Sequence, residues 1–247
     1  MKKLLAFILT IGLGVLIILA LDSNTSFDDF GFANLAERVS TRYITKGSNV
    51  DIIFGQTLEP ESGSANIVTS IVVDYRSFDT LGEVTVLFIS ALGVALLLGS
   101  AGVQKRMQLN FKPNFMLRVG SRALFGIIIM TGVYVILHGH LTPGGGFPGG
   151  TMIASAMLLL YLADDQFRAK IKSFKILEGV AGSLYVIIGL LGLVLGSYFL
   201  QNFLPNGTVG DLVSSGIIPI VYILIGLKVG SEISGVVDNF LTEEEAQ

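Results

Sequence analysis

The chain has 247 residues, 51% of them hydrophobic and 14% charged, with a net charge of −3 and a mean hydropathy of +0.72. Soluble domains carry about 25% charged residues, so the composition excludes a soluble enzyme or nucleic-acid partner and defines an all-α integral membrane protein. The absence of cysteine excludes disulfides and any cysteine-ligated iron–sulfur cluster within the chain.

Asking for apolar stretches of about 18 or more residues predicts six transmembrane helices. They are Leu4–Leu21, Leu81–Val103, Val119–Leu137, Thr151–Ala163 (short unless Gly149 and Gly150 join it), Val180–Leu200 and Ser214–Leu227, the last extending past Lys228, with the fourth and sixth least cleanly delimited. The opening "MKKLLAFILTIGLGVLIILALD" reads as an uncleaved anchor. Its apolar run is longer than the about 7–15 residues of a signal peptide, and "ILALDS" is a poor cleavage site. Residues 22–63 are polar and acidic and read as an outer loop, with a short helix at Asn34–Tyr43. From Ser64 the pattern changes: Ile67, Val68, Ile71, Val72 and Tyr75 fall on one helical face, although their β-branched content leaves a strand open. "DYRSFDT" then interrupts before the next span. This is the layout of a helix that is discontinuous near residues 64–80, tolerated at depth only where buried in protein or lining a wet cavity.

Charge placement sets the topology. Lys105, Arg106, Lys112, Arg118 and Arg122 fill the second connection, and Arg168, Lys170, Lys172 and Lys175 the fourth, while the first connection is acidic. By the positive-inside rule both termini are cytoplasmic, in a multi-pass protein of the cytoplasmic (inner) membrane. The organisation expected is a two-span module at 1–103, a basic linker at 104–115 and a four-span module at 116–247. Gly182, Gly189, Gly192 and Gly196, and Gly226, Gly230 and Ser234, form small-residue rows suited to close helix packing.

The third connection, "HGHLTPGGGFPGG", holds both histidines, His138 and His140, with Pro143, Gly144, Gly145, Gly146, Pro148, Gly149 and Gly150. Gly144, Gly146 and Gly149 have GxGxxG spacing, but the flanks are membrane helices and not the βαβ unit a dinucleotide site needs. Two histidines two residues apart make no metal site without a third ligand. Residues 138–150 are expected to form a tight turn. Either it is a packed lid with the histidines bonded to carbonyls, or it places an imidazole beside a cation or proton path, or it meets lipid or another protein chain.

Ionisable groups at membrane depth are costly, and they pair or mark an ion route. Glu83 lies just inside a span with Asp79 four residues earlier, and Arg76 is the natural counter-charge; a structural ion pair and a relay are both open. Lys228, with Glu232 four residues on, can snorkel to the cytoplasmic interface or join an ion path. Glu178 reads as favourable dipole placement at a helix start.

Two stretches resemble a known family. "HGHLTPGGGFPGGTMIASAMLLLYLA" and its flanking spans resemble the MnhB component of the Mrp (Mnh) multisubunit sodium/proton antiporters. "VVDYRSFDTLGEVTVLFISALGV" resembles the C-terminal membrane segment of their large MnhA component. That segment also occurs as a separate small chain in Mrp-related, ferredoxin-linked hydrogenase and sulfane-reductase complexes. The resemblance implies a non-catalytic membrane component, with no cofactor of its own, that helps move Na+ and H+. It also implies other Mrp-type subunits as partners, and hydrogenase or ferredoxin-oxidising subunits if the complex is respiratory. Arg76, Asp79 and Glu83 match the Arg–Asp–Glu run of the first module, implying a role in translocation at a junction between chains. Attachment of the first segment to the MnhB-like part points to the respiratory setting; a subunit of a stand-alone Mrp antiporter and a purely structural scaffold are the competing readings.

Overall fold

The polar stretch that interrupts the apolar residues near position 75 is where the helix changes pitch. In this computed structural model, which describes residues 11–12, 14–15, 55–56, 63–98, 104–106, 113–164, 167 and 171–244, one α-turn, α1 (Ile67–Thr69), runs into a π-helix (Ser70–Tyr75). At Arg76 the backbone leaves helical values (φ −123°, ψ 34°), and α2 (Ser77–Leu98) begins. Side chains satisfy the carbonyls around the break. Thr80 Oγ1 donates to Val72 O at 2.9 Å, and the Tyr185 hydroxyl donates to Ser77 O at 3.1 Å. Lipid offers no water for such groups, so a break at depth survives only with internal partners.

Four further long helices follow: α3 (Phe115–Leu137), α4 (Gly146–Ala163), α5 (Ile171–Leu195) and α6 (Ile218–Phe240). With α2 they make five helices long and apolar enough to cross a membrane, so the described chain is a multi-span, helical membrane protein. The span at Leu4–Leu21 lies outside the described residues except for Ile11, Gly12, Gly14 and Val15, which are helical. The helix at Asn34–Tyr43 lies outside them altogether, as does the loop 22–63 apart from residues 55, 56 and 63.

Residues 1–51 and 52–247 form separate units. Within the second, α6 is the centre, packing against α2, α3, α4 and α5. Of its membrane-length window 61% is buried, against 6% for α2. Ile218, Val221, Ile225 and Val229 line its inner faces with Ile136, Ala181 and Tyr185. Where the basic linker was expected, β1 (Gln104–Arg106) instead pairs antiparallel with β2 (Thr242–Glu244), Lys105 opposite Glu243.

The turn between α3 and α4 is shorter than its composition suggests. Pro143, Gly144 and Gly145 lie in it, but Gly146, Pro148, Gly149 and Gly150 belong to the first turns of α4. Pro148 is the third helical residue, where the missing N–H is one of the helix's unpaired donors in any case. The glycines there are a packing device. A Cβ on Gly146 would lie 2.6 Å from Ile225 Cβ, and one on Gly150 2.9 Å from Gly226 O. A Cβ on Gly149 would collide with Ile136 Cγ1. Only Gly145, at φ +133°, needs glycine for its backbone conformation.

Candidate functional site

The histidine turn is held from below by the start of α1. Asn66 Nδ2 donates to Gly139 O and Thr142 O, both at 3.0 Å, and its backbone N–H donates to His140 O at 3.0 Å. The Thr69 hydroxyl donates to Gly139 O at 2.7 Å and therefore accepts from the Tyr222 hydroxyl, also at 2.7 Å. His138 ends α3, its ring stacked on Tyr134 at 4.2 Å with Nδ1 3.2 Å from Tyr134 O. His140 is fully buried; Nε2 lies 3.4 Å from Asp211 O, and Nδ1 has no hydrogen-bond partner among the described residues. Burial lowers its pKa below the ordinary imidazole value, partly opposed by the Asp211 carbonyl. Both histidines thus meet backbone carbonyls. Among the described residues, no three His, Asp or Glu side chains gather as a metal site.

Arg76, Asp79 and Glu83 do not form one cluster. Arg76 pairs with Asp79, its Nε 2.6 Å from Oδ2. Both side chains are exposed, as is Glu83, which has no ion pair among the described residues. The counter-charge assigned to Glu83 is therefore spent on Asp79, because the i,i+3 spacing across the break brings those two together first.

The charges that lie deep are elsewhere. Lys228 is the eleventh residue of α6, roughly 15 Å along the helix from its start. Its ammonium donates to Glu232 Oε1 one turn on and lies 4.8 Å from the centre of the Phe88 ring, a favourable cation–π placement. The Lys228 side chain is 11% exposed and that of Glu232 0%. Gly182 on α5 faces the Lys228 stem, where a Cβ would sit 3.4 Å from Lys228 Cδ, in ordinary contact. Glu232 Oε2 is buried and unpartnered among the described residues.

Beside this pair a cavity of about 310 Å³ opens between α2 and α5, floored by α6. Glu178 and Glu232 both line it. Glu178 is close enough to both Lys228 and Glu232 to feel their charges. Sequence reasoning placed Glu178 at a helix start; α5 in fact begins at Ile171, seven residues earlier, which carries Glu178 up to the cavity wall. The sequence offers the i,i+4 spacing of Lys228 and Glu232; the signal left unused was a second carboxylate, Glu178, in the preceding span.

A helical bundle with ionisable groups at mid-span defines an integral membrane protein of the kind that holds charge inside the bilayer. Residues 116–235 match the family described as "domain related to MnhB subunit of Na+/H+ antiporter", and residues 25–101 match the MbhE family, the E component of MBH. A chain of the membrane-bound sulfane sulfur reductase, an archaeal respiratory membrane complex, is 41% identical, with a TM-score of 0.70 over 98% of this chain and 99% of that one. The B component of the Na+/H+ antiporter of Alkalihalophilus pseudofirmus is 38% identical over 38% of this chain and 68% of the relative. A chain of the Mrp complex from Dietzia sp. DQ12-45-1b shares the fold, with a TM-score of 0.62 and 23% identity; the likeness covers 99% of this chain and 26% of that longer one. The chain belongs to the MnhB family of antiporter domains, joined on its N-terminal side to a segment of the MbhE type.

Proposed function

We propose that this chain is a non-catalytic component of an Mrp-type cation/proton antiporter module within a ferredoxin-linked respiratory membrane complex, where it forms part of the Na+/H+ translocation path. The observation that carries the reading is the Lys228–Glu232 pair at mid-span, opening through Glu178 onto a cavity. Taking two charges out of water costs several kcal/mol each, and an apolar pair of similar volume is often as stable. A scaffold has no use for that arrangement; an ion path does. The near full-length likeness to a chain of a respiratory complex favours that setting over a stand-alone antiporter. Partners are the other membrane subunits of the module and its electron-transfer subunits, with both termini on the cytoplasmic side. Arg76, Asp79 and Glu83 lie exposed on this chain and act, in this reading, at the junction with a neighbouring chain.

Purification of the tagged chain from native membranes tests the setting. Iron–sulfur and nickel-site or sulfane-reducing subunits should come with it. Recovery with a full-length large antiporter chain and no redox partner favours the stand-alone antiporter, and recovery of the chain alone contradicts both.

A further inference from the structure

The cavity beside Lys228 has a charge count that selects its ion. Two carboxylates line it, Glu232 buried and Glu178 half-buried, and the buried Lys228 ammonium is bonded to the first of them. The other charge on its walls is Lys175, exposed one turn from Glu178. From α2 come only Phe88, Ala91, Leu92 and Ala95. Ser231 offers its oxygen only as an acceptor, since its one hydroxyl hydrogen is shared between Leu227 O at 2.6 Å and Lys228 O at 2.9 Å. Lys228 is engaged with Oε1 of Glu232, which leaves Oε2 buried and unpartnered. The triad therefore carries one negative charge, with Lys228 and Glu232 buried where charge is expensive.

We infer that Glu232, Lys228 and Glu178 form a proton-binding site, entered through this cavity from the end of the bundle where α2 and α6 finish, and that Na+ is not its ion. The inference rests on the reading of the chain as part of an ion-handling module. In the loaded state a hydronium in the cavity gives its proton to Glu232 Oε2 and leaves water behind. Lys228 keeps its charge, Glu178 becomes its counter-ion, and the triad is neutral. Unloading is the reverse transfer. A proton needs one oxygen, and one buried oxygen is open. A hard metal cation needs a shell of about six oxygens and would have to stand beside an ammonium. Beyond the two carboxylates the walls supply as side-chain oxygens only those of Ser231 and Asn239, among Phe88, Leu92, Phe174 and Val236.

The cavity also has the right extent. Its lining runs from Phe88 and Ser231 at mid-helix to Phe174 and Asn239 near the helix ends, with room for several waters. Gly179 and Gly235 line it, and a Cβ on either would meet nothing within 4 Å, so a larger side chain has room to enter there.

The test uses the whole complex in lipid, with infrared difference spectra and proton uptake as separate readings. A protonated-carboxyl band should appear as pH falls, vanish in Glu232→Gln, and stay unmoved by NaCl added at constant pH and ionic strength. Glu178→Gln should slow proton uptake by on the order of a hundredfold. Gly235→Leu, which puts an apolar side chain into the cavity without removing a charge, should slow uptake while keeping the band. A band displaced by Na+ overturns the proton assignment but leaves the ion-handling role. Unchanged uptake in Gly235→Leu overturns entry through the cavity. No titrating band, with normal coupled transport in Glu232→Gln, overturns the site and the ion-handling role together.

Discussion

The turn between α3 and α4 and the cavity between α2, α5 and α6 are built in opposite ways. The turn concentrates rare residues, both histidines and a run of glycines, and the structure uses them to remove space. Carbonyls of the turn are taken by Asn66 and Thr69, and glycines at the start of α4 leave no room for a methyl group. The cavity is lined by ordinary residues, yet it leaves glycines facing open space and a buried carboxylate oxygen unpaired. A conspicuous motif can be conspicuous because close packing demands unusual backbone, whereas chemistry at depth needs only two or three common charges in the right turn of the right helices.

The contrast can be broken most forcefully at Lys228. Lys228→Ala leaves Glu232 without its counter-charge and should cost about 3–5 kcal/mol in thermal unfolding of the purified complex. The apolar double variant Lys228→Met/Glu232→Leu should recover most of that loss. Next in size is Gly149→Val. Its side chain would enter the space of Ile136, and overpacking of this kind costs about 1–3 kcal/mol, read as reduced yield and a lower unfolding temperature. Asn66→Ala removes the clamp under the turn and leaves Gly139 O and Thr142 O each short of a donor. About 1–2 kcal/mol is expected from the same measurement. If the turn tolerated both changes, its reading as a packing device would be wrong.

The smallest effect belongs to His140. Burial favours its neutral form, so the unfolded chain takes up a proton near pH 6.5 and the folded chain only below that. Below about pH 6.5 the unfolded state binds more protons, and stability falls as pH drops, by at most about 1.4 kcal/mol per unit. His140→Gln should remove that part of the slope in unfolding measured across pH. An unchanged slope would show that His140 is not buried neutral.

The spans were legible because a bilayer demands long apolar runs, and the discontinuity at 64–80 was legible because charged residues interrupt one. Their ends were less so. Gly146–Gly150 carry turn-forming residues, yet the space left by Ile136 and Tyr222 on neighbouring helices makes them helical. The pairing of Gln104–Arg106 with Thr242–Glu244 joins residues far apart in sequence, and no local pattern announces it. At the candidate site, the sequence places Lys228 and Glu232 one turn apart but does not give their burial, to which Phe88 on another helix contributes. Arg76 and Asp79 show the converse: a spacing suited to pairing that proves, on this chain, to lie exposed.

The decisive measurement is cation-coupled proton transport by the reconstituted complex carrying Lys228→Met/Glu232→Leu, a variant designed to keep the helices packed while removing the buried charge. Transport should fall to background while the composition of the complex and its unfolding temperature stay near those of the unaltered form. Coupled transport at the normal rate would mean that the pair only holds helices together and that the chain is a scaffold.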